Sequence, residues 1–324
     1  MQNEEHIYIS GGHLDQNGFP CDYFMRYCLE SGRWERLPNM LVARRNHRAA
    51  LLGDQIVVVG GKGVNRGIEL SCEKYSLSTK TWSRIAAFPA EMTRLISVCT
   101  HQGNVIVVSE SYPRYEVYKY CPQTDVWTLL EQLSAKLKEF DRVDSAVSYK
   151  NELWLYCYKK EDQYDQRVNS ERKFGCFLRY DFRNKSLVES DSFGVEVGNY
   201  LKKNIVNNHI RFPSKYKVTT SFHSNEDLLF GHIFGEHMGL SAVEYEYRNF
   251  HWSVCHSAST GLNSVLPMKE AKDLLTCAVK RDKMYAFFNC IKGNALFRIY
   301  DPQKGVWSSK EVQKIISVAD YAVC

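Results

Sequence analysis

Short apolar runs rich in Val, Ile, Leu and Tyr recur at near-regular intervals along the chain. One set comprises His6-Ile-Tyr-Ile-Ser10, Gln55-Ile-Val-Val-Val59, Asn104-Val-Ile-Val-Val108, Glu152-Leu-Trp-Leu-Tyr156, Asp227-Leu-Leu-Phe230 and Lys283-Met-Tyr-Ala-Phe287. Upstream of all but the first lies a further run: Arg48-Ala-Ala-Leu-Leu52, Ile96-Ser-Val-Cys-Thr100, Ser145-Ala-Val-Ser-Tyr149, Thr219-Thr-Ser-Phe-His223 and Leu275-Thr-Cys-Ala-Val279. Runs this short, bounded by polar turn formers, predict strands rather than helices. After each pair of runs comes a Tyr with a Trp seven residues later: Tyr27 and Trp34, Tyr75 and Trp82, Tyr120 and Trp127, Tyr245 and Trp252, Tyr300 and Trp307. One more copy, Tyr180 to Leu187, keeps the spacing without the Trp. The residues between, such as Ser76-Leu-Ser-Thr-Lys-Thr81 and Asp301-Pro-Gln-Lys-Gly305, predict a hairpin joining two further strands.

Successive tyrosines lie 48, 45, 60, 65 and 55 residues apart, and 51 residues lead from Tyr300 through the C-terminus round to Tyr27. Six units of four strands predict an all-β, six-bladed β-propeller with four-stranded blades. The expected blades are 1–40 with 317–324, 41–89, 90–133, 134–190, 214–254 and 268–310, together forming a single domain, 1–324. The chain starts at a second-strand run, and Ser317-Val-Ala-Asp-Tyr-Ala-Val-Cys324 reads as the missing first strand. Pairing the two termini would remove an open sheet edge. The clean division at both ends also reads as one domain of a longer protein. Units four and five are expected to be the least regular, with long loops at 159–175 and 188–214. The Tyr and Trp residues are expected to pack between neighbouring blades.

Within this pattern Gly11-Gly12 and Gly60-Gly61 follow second-strand runs. The cleanest unit reads Gly60-Gly61, Glu73-Lys74-Tyr75, Trp82, with Pro89 just beyond. On these marks the chain resembles the kelch family over its whole length, as a diverged member. The double glycine gives way to Ser109-Glu110, Cys157-Tyr158, His232-Ile233 and Phe288-Asn289 in the other units. Glycine there permits unusual backbone angles and close backbone approach, so its loss implies bulkier inner strands. No Trp adjoins an Asp as the Trp-Asp signature of WD-repeat propellers requires.

Composition narrows the function. The charge of +5 and pI of about 8.5 are too mild for a dedicated nucleic-acid binder. No apolar run approaches the ~18 residues that span a bilayer, and Met1-Gln-Asn-Glu-Glu-His has no signal-peptide pattern. Eleven Cys with no Cys-x-x-Cys pair are expected to be reduced thiols, placing the chain in the cytoplasm or nucleus. Asn184-Lys185-Ser186 then reads as a polar turn.

Catalytic signatures are missing from the sequence. There is no Gly-x-Ser-x-Gly, P-loop or dinucleotide fingerprint, and Lys62–Gly67 precedes a strand run rather than a helix. His232 and His237, like His251 and His256, sit five apart in non-helical segments, so no metal or cofactor is expected. Some kelch propellers are enzymes, among them a copper oxidase with a Cys–Tyr crosslink and sugar epimerases, but none of their local motifs transfers.

One column stands out. Aligning the units on their second strands puts Arg45, Arg94, Arg142, Lys217 and Asp273 at one position, with Arg44 beside Arg45 and Lys272 beside Asp273. In a propeller this position, at the start of each first strand, surrounds a mouth of the central channel. The loops between second and third strands would add His13, Arg66, Tyr112, Arg114 and the mixed-charge stretch 159–173. Convergent arginines bind carboxylates and phosphates bidentately, which suits an acidic or phosphorylated protein segment. Pairing with blade carboxylates or carbonyls is the competing use of the same residues. The resemblance implies a non-catalytic protein-interaction module. In kelch-like proteins, propellers that follow BTB and BACK domains recruit substrates to a cullin-3 ubiquitin ligase through this loop face. An actin-associated kelch protein and a sugar-acting kelch enzyme are the alternatives.

Overall fold

A computed structural model of the chain describes residues 5–12, 19–111, 113–138, 140–149, 152–159, 176–189, 216–224, 228–240, 245–257, 261–268, 271–280, 283–290, 295–301, 304, 306–310 and 322–323. The described residues are almost entirely strand, in six antiparallel four-stranded sheets. Sheet 1 holds β1 (His6–Ser10), β2 (Phe24–Cys28) and β3 (Trp34–Leu37), and sheet 2 holds β4 (Arg48–Leu52), β5 (Gln55–Val59), β6 (Cys72–Ser76) and β7 (Thr81–Ile85). Sheet 3 holds β8 (Arg94–His101), β9 (Asn104–Ser111), β10 (Arg114–Cys121) and β11 (Val126–Gln132). Sheet 4 is β12 (Phe140–Tyr149), β13 (Glu152–Lys159), β14 (Cys176–Asp181) and β15 (Ser186–Glu189); sheet 5 is β16 (Tyr216–Ser224), β17 (Leu228–Leu240), β18 (Tyr245–Ser257) and β19 (Gly261–Met268). Sheet 6 is β20 (Ala271–Lys280), β21 (Lys283–Cys290), β22 (Ala295–Asp301) and β23 (Val306–Lys310). The last strand, β24 (Ala322–Val323), pairs antiparallel with β1, so the C-terminal segment supplies the fourth strand of sheet 1.

The chain divides into two compact units, 1–135 with 274–300 and 307–324, and 136–273 with 301–306. In the first unit the second strands of sheets 1, 2 and 3 are buried on both faces, and period-two alternation sends neighbouring side chains opposite ways. Ile56 and Val58 of β5 pack with Tyr8, Phe24 and Ala49 around sheet 1, whereas Val57 and Val59 pack with Phe88, Val105, Val107 and Tyr118 around sheet 3. Ile7 and Ile9 of β1 face Tyr285 and Ile299 of sheet 6.

The Tyr–Trp spacing spans a hairpin where it was expected to. Tyr27 faces Trp34, Tyr75 faces Trp82 and Tyr120 faces Trp127 across the ladder, with ring centroids 5.0–5.1 Å apart. Tyr180 faces Leu187 in the same register. The Trp indoles also bind the preceding sheet. Trp82 Nε1 donates to Pro38 O at 2.8 Å, and Trp127 Nε1 donates to Ala86 O at 2.9 Å. Phe24 wedges edge-on against Tyr75 and Trp82, and Phe88 repeats this against Tyr118 and Trp127.

Sheet 5 departs from expectation. Tyr245 and Trp252 lie on one 13-residue strand, β18, so this copy encloses no turn. Glu246-Tyr-Arg-Asn-Phe-His251 contains no Gly or Pro and carries two aromatics, which favours continued strand over reversal. The fourth strand of this sheet is β19, ending at Met268 rather than near 254. Tyr300 and Trp307 fall on β22 and β23, but their side chains lie outside the described residues, as do loops 160–175 and 190–215.

The double glycines decide where second strands stop. Gly11, Gly12, Gly60 and Gly61 all have positive φ, and β1 and β5 end just before them after five residues. Where the pair is replaced the strand runs on, to eight residues in β9, β13 and β21 and 13 in β17.

Replacing Trp82 by Ala is expected to cost about 3 kcal/mol, the low end for an aromatic truncation because the indole is half-buried; urea unfolding measures it. A Cβ on Gly11 would lie 2.4 Å from Arg44 O, whereas one on Gly53, also at positive φ, meets nothing. Gly11→Ala should therefore lower the urea midpoint far more than Gly53→Ala, whose cost is about 1 kcal/mol from backbone strain alone.

Candidate partner-binding ledge

Ending β1 and β5 at glycine leaves wide loops, and backbone hydrogen bonds join them. Gly12 N donates to Arg44 O at 2.9 Å, Cys21 N to Gly12 O at 2.8 Å, and Arg44 N to Cys21 O at 3.0 Å. Arg45 and Lys62 exchange both N–H···O bonds, at 3.1 and 2.8 Å, and Lys62 bridges in turn to Ile68. Residues 11–12 and 19–23 of the β1–β2 loop, the β3–β4 linker and the β5–β6 loop are thus joined into one ledge at the loop end of sheets 1 and 2.

Under the ledge lies a polar cluster that sequence reasoning missed. Arg44 is wholly buried, with Nη2 3.0 Å from Glu73 Oε1, Nη1 donating to Gly60 O and Ser71 O, and Nη2 donating to Ser71 Oγ. The other carboxylate oxygen of Glu73 accepts from Leu41 N at 2.7 Å. Burial pushes the Glu73 carboxyl above its ordinary range, against the pull of the Arg44 guanidinium. His47 is buried beside them, with Nε2 2.9 Å from Ser10 Oγ. Burial, then the charges of Arg44 and Arg48, hold its ring well below the usual imidazole range. Glu73 sat in the quoted Glu-Lys-Tyr signature, but its buried partner was adjacent to the column residue rather than in it.

The structure divides the proposed basic column. Arg45 stands opposite Lys62, so like charges face across that ladder. Arg94 stands opposite Glu110, and its Nε donates to Glu110 Oε2 at 2.7 Å. The Tyr115 hydroxyl donates to the other oxygen of Glu110 at 3.3 Å. Arg94 is thus engaged by its own sheet, the competing use of the column residues. Lys217 likewise stands opposite Glu236, and Arg142 opposite Tyr158. The side chains of Arg142, Lys217 and Lys272 lie outside the described residues, as do His13 and Tyr112 entirely. Arg66 and Arg114 are exposed. Among the described residues no cluster of His, Cys, Asp and Glu could hold a metal ion.

Glu73→Gln leaves the Arg44 guanidinium buried without its counter-charge and should destabilise the fold by about 3–5 kcal/mol. Because the native state refuses a proton that the unfolded His47 accepts, stability should fall as pH drops below about 6.5. That dependence should flatten in His47→Gln; urea midpoints on either side of this pH measure it.

Comparison with known proteins agrees with these features. The Kelch motif family matches residues 3–41 and 43–89, the two units that keep the double glycine. The Kelch-like protein terF of Aspergillus terreus is 31% identical over 118 residues, covering 32% of this chain and 26% of that protein. A putative F-box/kelch-repeat protein of Arabidopsis thaliana is 33% identical over 106 residues, covering 33% of this chain and 27% of its own length. The Kelch repeat and BTB domain-containing protein 2 of Ectromelia virus is 22% identical over 200 residues, covering 56% of this chain and 34% of that protein. The chain thus aligns with well under half the length of each of these relatives. It is similar to kelch-repeat proteins, and the two repeats that match the Kelch motif, 3–41 and 43–89, are the two that build the ledge.

Proposed function

We propose that the chain is the substrate-recognition propeller of a ubiquitin ligase adaptor. In this reading the six sheets are six blades in one ring, with β24 completing the first, and the loop end carrying the ledge captures a partner protein. The observation that carries the reading is the opposed Arg45–Lys62 pair with exposed Arg66 on loops fixed by backbone hydrogen bonds. A preformed cationic site of this kind suits an acidic or phosphorylated segment. The ligase connection rests on relatives whose names join kelch repeats to F-box or BTB domains. Cullin-3 would be reached through BTB and BACK domains preceding this segment in the parent protein. The propeller itself is non-catalytic and works in the cytoplasm or nucleus.

Affinity purification of the parent protein should recover cullin-3 together with a partner. Arg45→Glu combined with Arg142→Glu should weaken partner capture at least about tenfold, with melting unchanged. Partner binding unaffected by the double substitution would reject the loop face, and a purification without cullin-3 would reject the ligase assignment. Arg94 is left intact because a Glu there would face Glu110.

A further inference from the structure

The three segments of the ledge meet around one side chain. His47 is wholly buried, and both double-glycine turns close on it. A Cβ on Gly11 would lie 2.5 Å from His47 Cε1, and one on Gly61 would lie 2.8 Å from His47 Cβ. His47 is thus packed between the ends of β1 and β5, its ring against the first turn and its Cβ against the second.

The ring's polar partner is Ser10, whose Oγ lies 2.9 Å from Nε2, and Nδ1 has no hydrogen-bond partner in the protein. The charges acting on the ring are positive: Arg44 and Arg48, both on its own segment. The carboxylates of the neighbouring elements are engaged elsewhere, Glu73 by Arg44 and Leu41 N, Glu69 by Ser71 N and Asp22 by Asn39. The Cys21 thiol donates to Gly11 O, and burial pushes it up, so it stays neutral. A neutral imidazole fits this site. A protonated one would present a second N–H donor without a protein acceptor, buried beside two cations. It can be accommodated only by leaving.

The contacts that hold the ring in place lie outside the sheets. Gly12 N bonds Arg44 O, Arg44 N bonds Cys21 O, and Arg45 and Lys62 form an isolated bridge. Segments held this way open at lower free energy than the interior of a sheet. Opening also returns Arg44 and Glu73 to water, and their recovered hydration offsets part of the lost bonding.

We propose that His47 is an acid-sensitive latch: its neutral ring holds the β1–β2 and β5–β6 loops onto the β3–β4 linker, and its protonation releases the ledge while the sheets stay folded. This goes beyond the partner-recognition reading and does not rest on it. In the open ledge the ring titrates near its ordinary value of about 6.5, so the opening constant should rise about tenfold between about pH 7.5 and 5.5.

Amide hydrogen exchange of the full chain, corrected for the intrinsic rate at each pH, reads the opening residue by residue. The amides of Gly12, Arg44, Arg45 and Lys62 should exchange at least about tenfold faster than those of Val57 and Val107, through an opening that leaves the sheets intact. Their opening constants should rise about tenfold over that pH interval, and the rise should vanish in His47→Gln. Nitrogen-15 spectra of the histidine rings need no variant: with the ledge closed, His47 should stay neutral at the acid end of the interval. Ledge amides that exchange no faster than the sheet amides would overturn the latch, because His47 would then report global unfolding alone. So would a pH response unchanged in His47→Gln, or a His47 ring that becomes charged while the ledge amides stay protected.

Discussion

A four-stranded sheet whose inner strands are apolar on both faces has to be sandwiched. Residues 56–59 of β5 are wholly buried, and alternation points half of them at sheet 1 and half at sheet 3. Removing roughly 25 cal/mol per Å² of apolar surface from water on both sides is available only when each sheet has two neighbours. No single repeat can fold by itself on these terms. The stacking of sheets 6, 1, 2 and 3 in the first unit follows from that constraint. So does the placing of the Trp indoles, whose polar edge reaches a carbonyl of the preceding sheet while the ring fills the gap.

The linkers between sheets inherit the same pressure. The β3–β4 linker must cross between two packed layers, where its polar groups lose water. Arg44 answers by donating to Gly60 O and Ser71 O and pairing with Glu73, which also holds Leu41 N. A buried ion pair contributes little net stability against an apolar alternative, but it tolerates no missing partner. Its effect is to fix the linker in one path. The glycines then become obligatory, since a side chain at Gly11 or Gly61 would collide with the carbonyls of Arg44 and Arg45.

What the sequence made legible was the short-range pattern. β1, β4 and β5 begin and end where their apolar runs do, and three Tyr–Trp pairs meet across their hairpins, because period-two alternation and turn chemistry are local properties. The same local reading failed at Tyr245 and Trp252, where an identical spacing sits on one strand. Spacing records distance along the chain, and only turn-forming residues between the aromatics convert it to a reversal. Charge compensation was also hidden. Glu110 lies 16 residues from Arg94 and Glu73 lies 29 from Arg44, so both pairings depend on a ladder register that residue counting does not supply. The column of basic residues was a real alignment, but Arg94 pairs with the carboxylate that stands across from it.

That last point explains why the ledge sits where it does. In sheet 3 the Gly-Gly pair is lost, β9 runs on to Ser111, and the short turn to Arg114 brings Glu110 up against Arg94. The longer strand thereby neutralises its own cation. In sheet 2 the positive φ at Gly60 and Gly61 halts the strand, and the ladder resumes only as an isolated bridge that opposes Lys62 to Arg45. The released loop is long enough to form a turn carrying exposed Val64, Arg66 and Ile68. The residues that make the repeat recognisable are therefore also the ones that halt the strand and leave the loop open. Divergence elsewhere in the chain trades that openness for longer strands.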